Sequence, residues 1–512
     1  MANPKQRFGV VGALLIAASV ALRWSLCLSG GQFFMGDENR YERVTRLYLA
    51  LAHGNWADVR AVASQPEHAL FPWIGAGLTV LQHAAAQATR YGDWSHWENI
   101  EFTLPLAACI LSLFSVLNIY LVFRLALRAG AGRREALWAA GLMAASNTNL
   151  YYCRHLLQYD AALSIALGSL VMAVGQRSPR RLCAVGLLAA AAYETYNGYW
   201  FMVPLAALAA SLTAPRESRL SSLLWVAAGS ALGAAALVLL GVAAGGLEYL
   251  RVMSAFSRTV TQGLFAEGWS LPWEFLGKAE GPLGMTVALL IVGFLLVDRY
   301  KRRPLEERTR LWILLLGFAY AALVVFSVVL GKFVVYGRTT KALVPLLCLL
   351  GAWAVDRLSG ARRIAQIGTA VVMAVSLLGA FSLHLARVYP REVEIAVLKK
   401  YGNPKRTLSV SGSIYQVLVL PVTRPDLVLV NAQLLYPIRG VIGVPPGLTL
   451  LRVAHALSYE PYQYEGFTPY ERRALRTSDI SVRLIALSDP ASIPNDLPLS
   501  QRYNLSDRPT GR

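Results

Sequence analysis

The chain is short of charge, and shortest of acid. Only 15% of its 512 residues are charged, with 30 Asp and Glu against 49 Lys and Arg. Soluble domains carry about 25% charged residues, so a large water-soluble globule is excluded. Cysteine is also scarce. Cys27, Cys109, Cys153, Cys183 and Cys348 sit in or beside apolar runs at unrelated spacings, so neither a disulfide framework nor a metal motif follows from them. No His/Cys cluster requires a cofactor, although a pair of carboxylates can hold a divalent metal. The net charge of +19 does not point to nucleic acid, because the bases are gathered in short segments between apolar runs.

What the chain has is hydrophobic length: 55% hydrophobic residues and a mean hydropathy of +0.44. A polytopic membrane protein is expected. The first apolar run, 8–28, has Arg23 and Trp24 where a signal peptide would be cleaved, so it reads as an uncleaved anchor. Further runs cover 102–123, 137–151, 156–174, 182–193, 199–212, 223–243, 283–297, 311–330, 343–355 and 364–385. Five basic loops must share one side. They hold Arg124 to Arg134, Arg177 to Arg181, Arg216 and Arg219, Arg299 to Arg310, and Arg357 to Arg363. That is consistent only if residues 182–212 cross twice, broken at Tyr193-Glu194-Thr195-Tyr196-Asn197-Gly198. About eleven spans result, with the N-terminus cytoplasmic and the C-terminus outside. The half-apolar stretch 70–88, which contains His83 and Gln87, is placed on the membrane surface.

Two regions follow. Residues 1–387 form the transmembrane part, with 29–100 as a long first outer loop carrying surface helices. Residues 388–512 read as a soluble extracytoplasmic α/β domain, with strands at 407–410, 427–430, 449–453 and 482–487. A helix begins at Thr468-Pro469-Tyr470-Glu471, where Thr caps, Pro opens the first turn and Glu follows three residues after the cap.

The unusual chemistry collects in the outer loops. Gly36-Asp37-Glu38-Asn39-Arg40-Tyr41 places two carboxylates just beyond the first span, followed by an amphipathic helix with Tyr41, Val44, Leu47, Tyr48 and Leu51 on one face. Asp37 is the candidate general base and Glu38 its neighbour. Asp160, in Arg154-His155-Leu156-Leu157-Gln158-Tyr159-Asp160, is a second acid at the outer end of a span, where ionisable groups are rare unless paired or functional. Lys332, Arg338 and Lys341 lie outside, against the positive-inside rule, and suit an anionic lipid phosphate. Glu194 in the broken span, and Glu267, Trp269 and Glu280 in the 246–282 loop, are candidates for sugar or acceptor contacts. Interfacial Trp belts give the same composition.

One reaction uses all these parts. In a sugar linked through phosphate to a polyprenol, phosphate is a good leaving group that a cation cradle stabilises. A single carboxylate then takes the proton of an acceptor hydroxyl as it attacks the anomeric carbon, with inversion. A transporter or flippase of lipid-linked sugars is the alternative, but it needs polar residues through the middle of several spans. A non-catalytic assembly protein is a third reading, in which Asp37→Asn is harmless.

At Asp37-Glu38-x-Arg40-Tyr41, followed by a helix and Gly54-Asn55-Trp56, the chain resembles the C-type (GT-C) membrane glycosyltransferases. The resemblance is to the protein O-mannosyltransferase and lipid A aminoarabinose transferase group. Arg154…Asp160 looks like that group's second acidic site, and Arg338…Lys341…Pro345 like its outer segment entering a late span. The resemblance implies the GT-C fold, a polyprenyl-phosphate sugar donor and Asp37 as the catalytic position. Arg40, Tyr41, Arg154, Lys332, Arg338 and Lys341 are then candidates for the donor phosphate or substrate. The acceptor is a glycan, lipid or protein, and the site faces the periplasm from a multi-pass protein of the cell inner membrane. The group often has a Lys before a Pro-Pro-Leu stretch in the first loop. Here Gln65-Pro66-Glu67-His68 stands in its place, so other cations are expected to hold the phosphate.

Overall fold

The computed structural model describes residues 4–29, 32, 38, 40–89, 104–175, 178–261, 271–325, 337–358 and 363–386, and the tail strands 407–411, 427–433, 448–457 and 480–487. The chain divides into two units: Met1–Leu28 with Arg40–His384, and Ser29–Asn39 with Leu385–Arg512.

The first unit is helical. It opens with α1 (Pro4–Leu28), then α2 (Tyr41–Ala52), α3 (Trp56–Ala63) and α4 (Phe71–Thr89). There follow α5 (Leu104–Arg128), α6 (Arg133–Ala145), α7 (Asn147–Tyr152), α8 (Tyr159–Ala173), α9 (Pro179–Thr195), α10 (Met202–Thr213) and α11 (Arg219–Gly245). The unit continues with α12 (Leu247–Thr261), α13 (Leu271–Tyr300), α14 (Glu307–Val324), α15 (Gly337–Thr340), α16 (Val344–Asp356) and α17 (Arg363–Ala386).

Within the described residues, each apolar run of the sequence contributes to a helix, and the break expected at 193–198 separates α9 from α10. Among the described residues, six helical segments are long and apolar enough to cross a membrane: Gly9–Leu28, Pro105–Arg128, Arg216–Gly245, Leu276–Tyr300, Arg338–Asp356 and Arg363–Leu385. Helices α6, α8, α9 and α10 have 13, 15, 17 and 12 residues, short of the ~20 that a straight span needs. Helix α8 is buried on nearly every face, as an inner helix of a bundle must be when neighbours replace lipid around it.

One element departs from the sequence reading. The described residues of the stretch expected as a loop from 246 to 282 are helical, in amphipathic α12 and the first turns of α13. Its Gly281-Pro282 marks a kink inside α13 rather than the end of a loop. Gly281 has φ 53, a conformation open to glycine. The surface helices form a small core of their own, with Leu47, Ala50, Val59, Val62 and Ala76 against Tyr48. Leu51, expected on that face, is exposed.

The basic loops form one end of the bundle. Arg357 pairs with Asp298, Arg308 Nη2 lies 3.0 Å from Glu135 Oε2, and Arg134 Nε lies 2.5 Å from Asp356 Oδ1. These pairs tie α6, α13, α14 and α16 together at that end. The opposite end holds the C-termini of α1, α6, α9 and α17 and the N-termini of α8 and α16. The described acids and bases singled out above in this unit lie there.

Helices α9 and α11 meet at glycines. A Cβ on Gly186 would lie 2.0 Å from the Val226 carbonyl oxygen, and one on Gly229 2.0 Å from that of Cys183. Close backbone approach through small residues is how helices associate without a hydrophobic drive. Gly229→Ala is therefore expected to force the two backbones apart and destabilise the protein by about 3 kcal/mol, read as a fall in melting temperature in detergent. Gly168→Ala, with nothing within 4 Å of its Cβ, is the neutral control.

In the second unit the described strands β1 (Thr407–Ser411), β2 (Leu427–Gln433), β3 (Leu448–Leu457) and β4 (Ile480–Leu487) form one sheet in the order β1-β2-β4-β3. The pair β1/β2 is parallel, while β2/β4 and β3/β4 are antiparallel. All four expected strands are present. The helix expected at Thr468 lies outside the described residues.

Candidate active site

The connection from α7 to α8 lies at the end of the bundle opposite the basic loops. Short α7 cannot hold itself, because a helix of six residues leaves most of its backbone donors unpaired. Glu280, just before the α13 kink, supplies the partner. Its carboxylate accepts from Ser146 Oγ (2.8 Å), Asn147 N (2.8 Å) and Thr148 N (3.1 Å), where a helix N-terminus favours negative charge. Asn147 Nδ2 donates to Ala279 O at 2.6 Å, which leaves Asn147 Oδ1 to accept from His384 Nε2 at 2.7 Å. Arg154 is fully buried and donates through Nη1 to the His384 carbonyl at 2.7 Å. Thus α7, α13, α17 and the α7–α8 connection are joined by polar contacts in an apolar setting, where such contacts are most costly to lose.

Asp160 stands in the first turn of α8. Lys341 Nζ lies 2.7 Å from its Oδ1, and the two side chains are 1% and 7% exposed. From α5, Asn118 Nδ2 donates to the same Oδ1 at 3.1 Å, and Ser164 Oγ donates to Asn118 Oδ1 at 2.8 Å. The ammonium of Lys341 also sits 4.9 Å from the centre of the Tyr152 ring. Nearby, Arg338 Nη1 donates to Tyr159 Oη at 3.0 Å. Tyr152, Tyr159, Tyr196 and Tyr199 follow one another at ring separations of 5.4, 4.7 and 5.0 Å. They form an aromatic wall from α7 to the α9–α10 break. Arg23 of α1 is fully buried, donates from Nε to Ser115 Oγ at 2.8 Å, and lies within electrostatic range of Asp160 and Lys341. Buried cations at this density favour anions.

The segment that carries α2, α3 and α4 makes a second polar cluster. Arg40 pairs with Glu67, Arg43 Nη1 donates to the Glu67 carbonyl at 3.0 Å, and Tyr41 Oη donates to Gln82 Oε1 of α4 at 3.1 Å. The backbone N–H of Leu70 donates to the Glu194 carbonyl at 3.1 Å, which brings this loop onto the α9–α10 break.

Of the residues singled out from sequence, the structure brings Asp160, Lys341 and Arg338 together, with Arg154 on the same connection. Arg40 and Tyr41 lie in the loop cluster, Glu194 where that cluster meets the break, and Glu280 at the foot of α7. Glu38 is buried and belongs to the second unit. Asp37, Lys332, Glu267 and Trp269 lie outside the described residues. Sequence reasoning missed Asn118, Tyr159, Arg23 and Gln158. Gln158 is fully buried, and its amide makes no hydrogen bond. Asn118 and Arg23 carried a signal, since each is a polar residue inside an apolar run.

These features define a multi-pass membrane protein with the GT-C fold. Among solved structures, ArnT from Cupriavidus metallidurans, bound to undecaprenyl phosphate, superposes with a TM-score of 0.52 at 14% identity. The match covers 94% of this chain and 99% of that one. The same protein in the apo state gives a TM-score of 0.47 at 15% identity, covering 79% of this chain and 82% of that one. No family model and no curated protein matches the sequence.

Proposed function

We propose that the chain is an inverting glycosyltransferase that moves a hexose or pentose from a polyprenyl-phosphate donor to an acceptor hydroxyl at the outer face of the cytoplasmic membrane. The observation that carries the reading is the likeness, over nearly the whole length, to a protein solved with undecaprenyl phosphate bound. The cations around the α7–α8 connection support it, because a lipid phosphate is the anion a membrane supplies. An apolar groove supports it too. A cavity of about 280 Å³ runs between α6, α13 and α16, lined by Leu142, Leu276, Leu283, Val287, Val344 and Leu347, with Ser146 and Glu280 at its polar end. An isoprenoid tail matches such a lining.

In this reading Asp37 takes the proton of the acceptor hydroxyl while its oxygen attacks the anomeric carbon. The bond from that carbon to the phosphate oxygen breaks, and its electron pair leaves with polyprenyl phosphate. Arg338, Lys341, Arg154, Lys332 and Arg40, with Tyr41, are the candidates offered to that phosphate or to the substrate, and Glu38, next to Asp37 in the sequence, serves orientation or acceptor contacts. Asp160 orients Lys341. Glu194, Glu267, Trp269 and Glu280 remain the candidates for sugar and acceptor. The stereochemistry tests it: in proteoliposomes given donor and acceptor, NMR of the product must show the anomeric configuration opposite to the donor's. Retention would overturn the single displacement.

A further inference from the structure

In the Gln65-Pro66-Glu67-His68 stretch between α3 and α4, the structure gives His68 a definite task. Its backbone N–H donates to Asn197 Oδ1 at 3.0 Å, and the Asn197 N–H donates to His68 Nδ1 at 3.2 Å. The imidazole is 4% exposed, 5.3 Å from the Tyr196 ring and 6.4 Å from that of Phe256 on α12. A backbone amide can only donate, so Nδ1 must present a lone pair and the ring proton must sit on Nε2. That nitrogen lies 3.7 Å from Glu67 Oε1, and Glu67 in turn holds Arg40 and Arg43. His68 itself has φ 51, a backbone conformation that Asn and His adopt more readily than other side chains.

We propose that His68, neutral and protonated on Nε2, is a positioning residue. It latches the first outer loop onto the α9–α10 break and fixes Arg40, three residues after Asp37. The catalytic consequence rests on the reading of Asp37 given above; the latch does not.

Protonation breaks the latch, because an imidazolium turns a second N–H toward the Asn197 N–H. The charged groups facing the ring are Arg40 just before α2, Arg43 of α2 and Glu67 on its own segment. The break faces it with Asn197 and Tyr196, and α12 with Phe256. Burial, then the charges of Arg40 and Arg43, hold the imidazole well below its ordinary value of 6.5. A group depressed on folding contributes stability that is full above its unfolded value, and that stability is lost as pH falls through the folded one.

The test uses full-length protein in detergent, labelled with ¹⁵N-histidine. The chain has seven histidines, and the signal missing from His68→Asn identifies His68. The latch requires an Nε2–H tautomer that persists below pH 6.5. An Nδ1–H tautomer, or titration at the ordinary value, would overturn it. Asn places its Oδ1 where Nδ1 stood and accepts the left-handed backbone, whereas Leu does neither. His68→Asn is therefore expected to keep kcat within about threefold, and His68→Leu to lose about tenfold or more, as small misplacements near a reacting group do. Equal turnover in His68→Leu and the native chain would overturn the positioning role. If the native chain turns over no donor, the proposed reaction fails, while tautomer and pH-dependent melting still decide the latch.

Discussion

Asp37→Asn is expected to lower polyprenyl phosphate release by about 10²–10⁴-fold, the contribution of a positioned general base. The substitution keeps size and hydrogen-bonding reach but removes the ability to take a proton. Phosphate leaves without protonation, so the acceptor hydroxyl is where the proton problem lies, and one carboxylate suffices to solve it. Donor binding is expected to persist, since the substitution removes none of the cations offered to the phosphate. The pairing of lost turnover with retained binding and an unchanged melting temperature separates a missing base from a damaged fold. Native turnover in Asp37→Asn would mean that another group is the base.

The second large effect concerns Lys341 and Asp160. Their ion pair is almost wholly buried. Removing one partner of such a pair leaves an uncompensated charge, and Lys341→Met is expected to destabilise the protein by about 3–5 kcal/mol. Asp160 would keep only the Asn118 amide as the donor shown for it. Removing both charges, as in Asp160→Leu with Lys341→Met, is expected to recover most of that stability, because two apolar side chains can fill the same space. Donor affinity is not expected to return, since the ammonium offered to the phosphate is gone. Thermal unfolding and donor binding, measured on the two single variants and the double, give the cycle. Recovery of both properties together would show that Lys341 serves the fold alone.

The helices were legible because a bilayer-sized apolar run has few other outcomes in a chain this poor in charge. Tyr193 to Gly198 read as a break because its polar residues interrupt an apolar run, and the basic loops required an extra crossing there. The tail strands were legible from short β-branched runs between turn residues. The helices within 246–282 were not legible, because Gly and Pro ordinarily punctuate loops. Gly281, with its non-helical backbone, and Pro282 instead join two helical stretches of α13 across a kink. The pairings inside the candidate site were not legible at all. Arg338 and Tyr159 are 179 residues apart, and His68 and Asn197 are 129 apart. Nothing local in either partner names the other. Asp160 and Lys341 could each be flagged as a charge out of place, but only the ion pair between the first turn of α8 and the turn before α16 shows that they answer one another.

The most direct measurement supplies the purified chain in liposomes with a panel of polyprenyl-phosphate sugars and follows free polyprenyl phosphate. At least one donor must release it in the native chain and not in Asp37→Asn. Movement of intact sugar lipid across the bilayer, with no release from any donor, would contradict the account and make the protein a transporter.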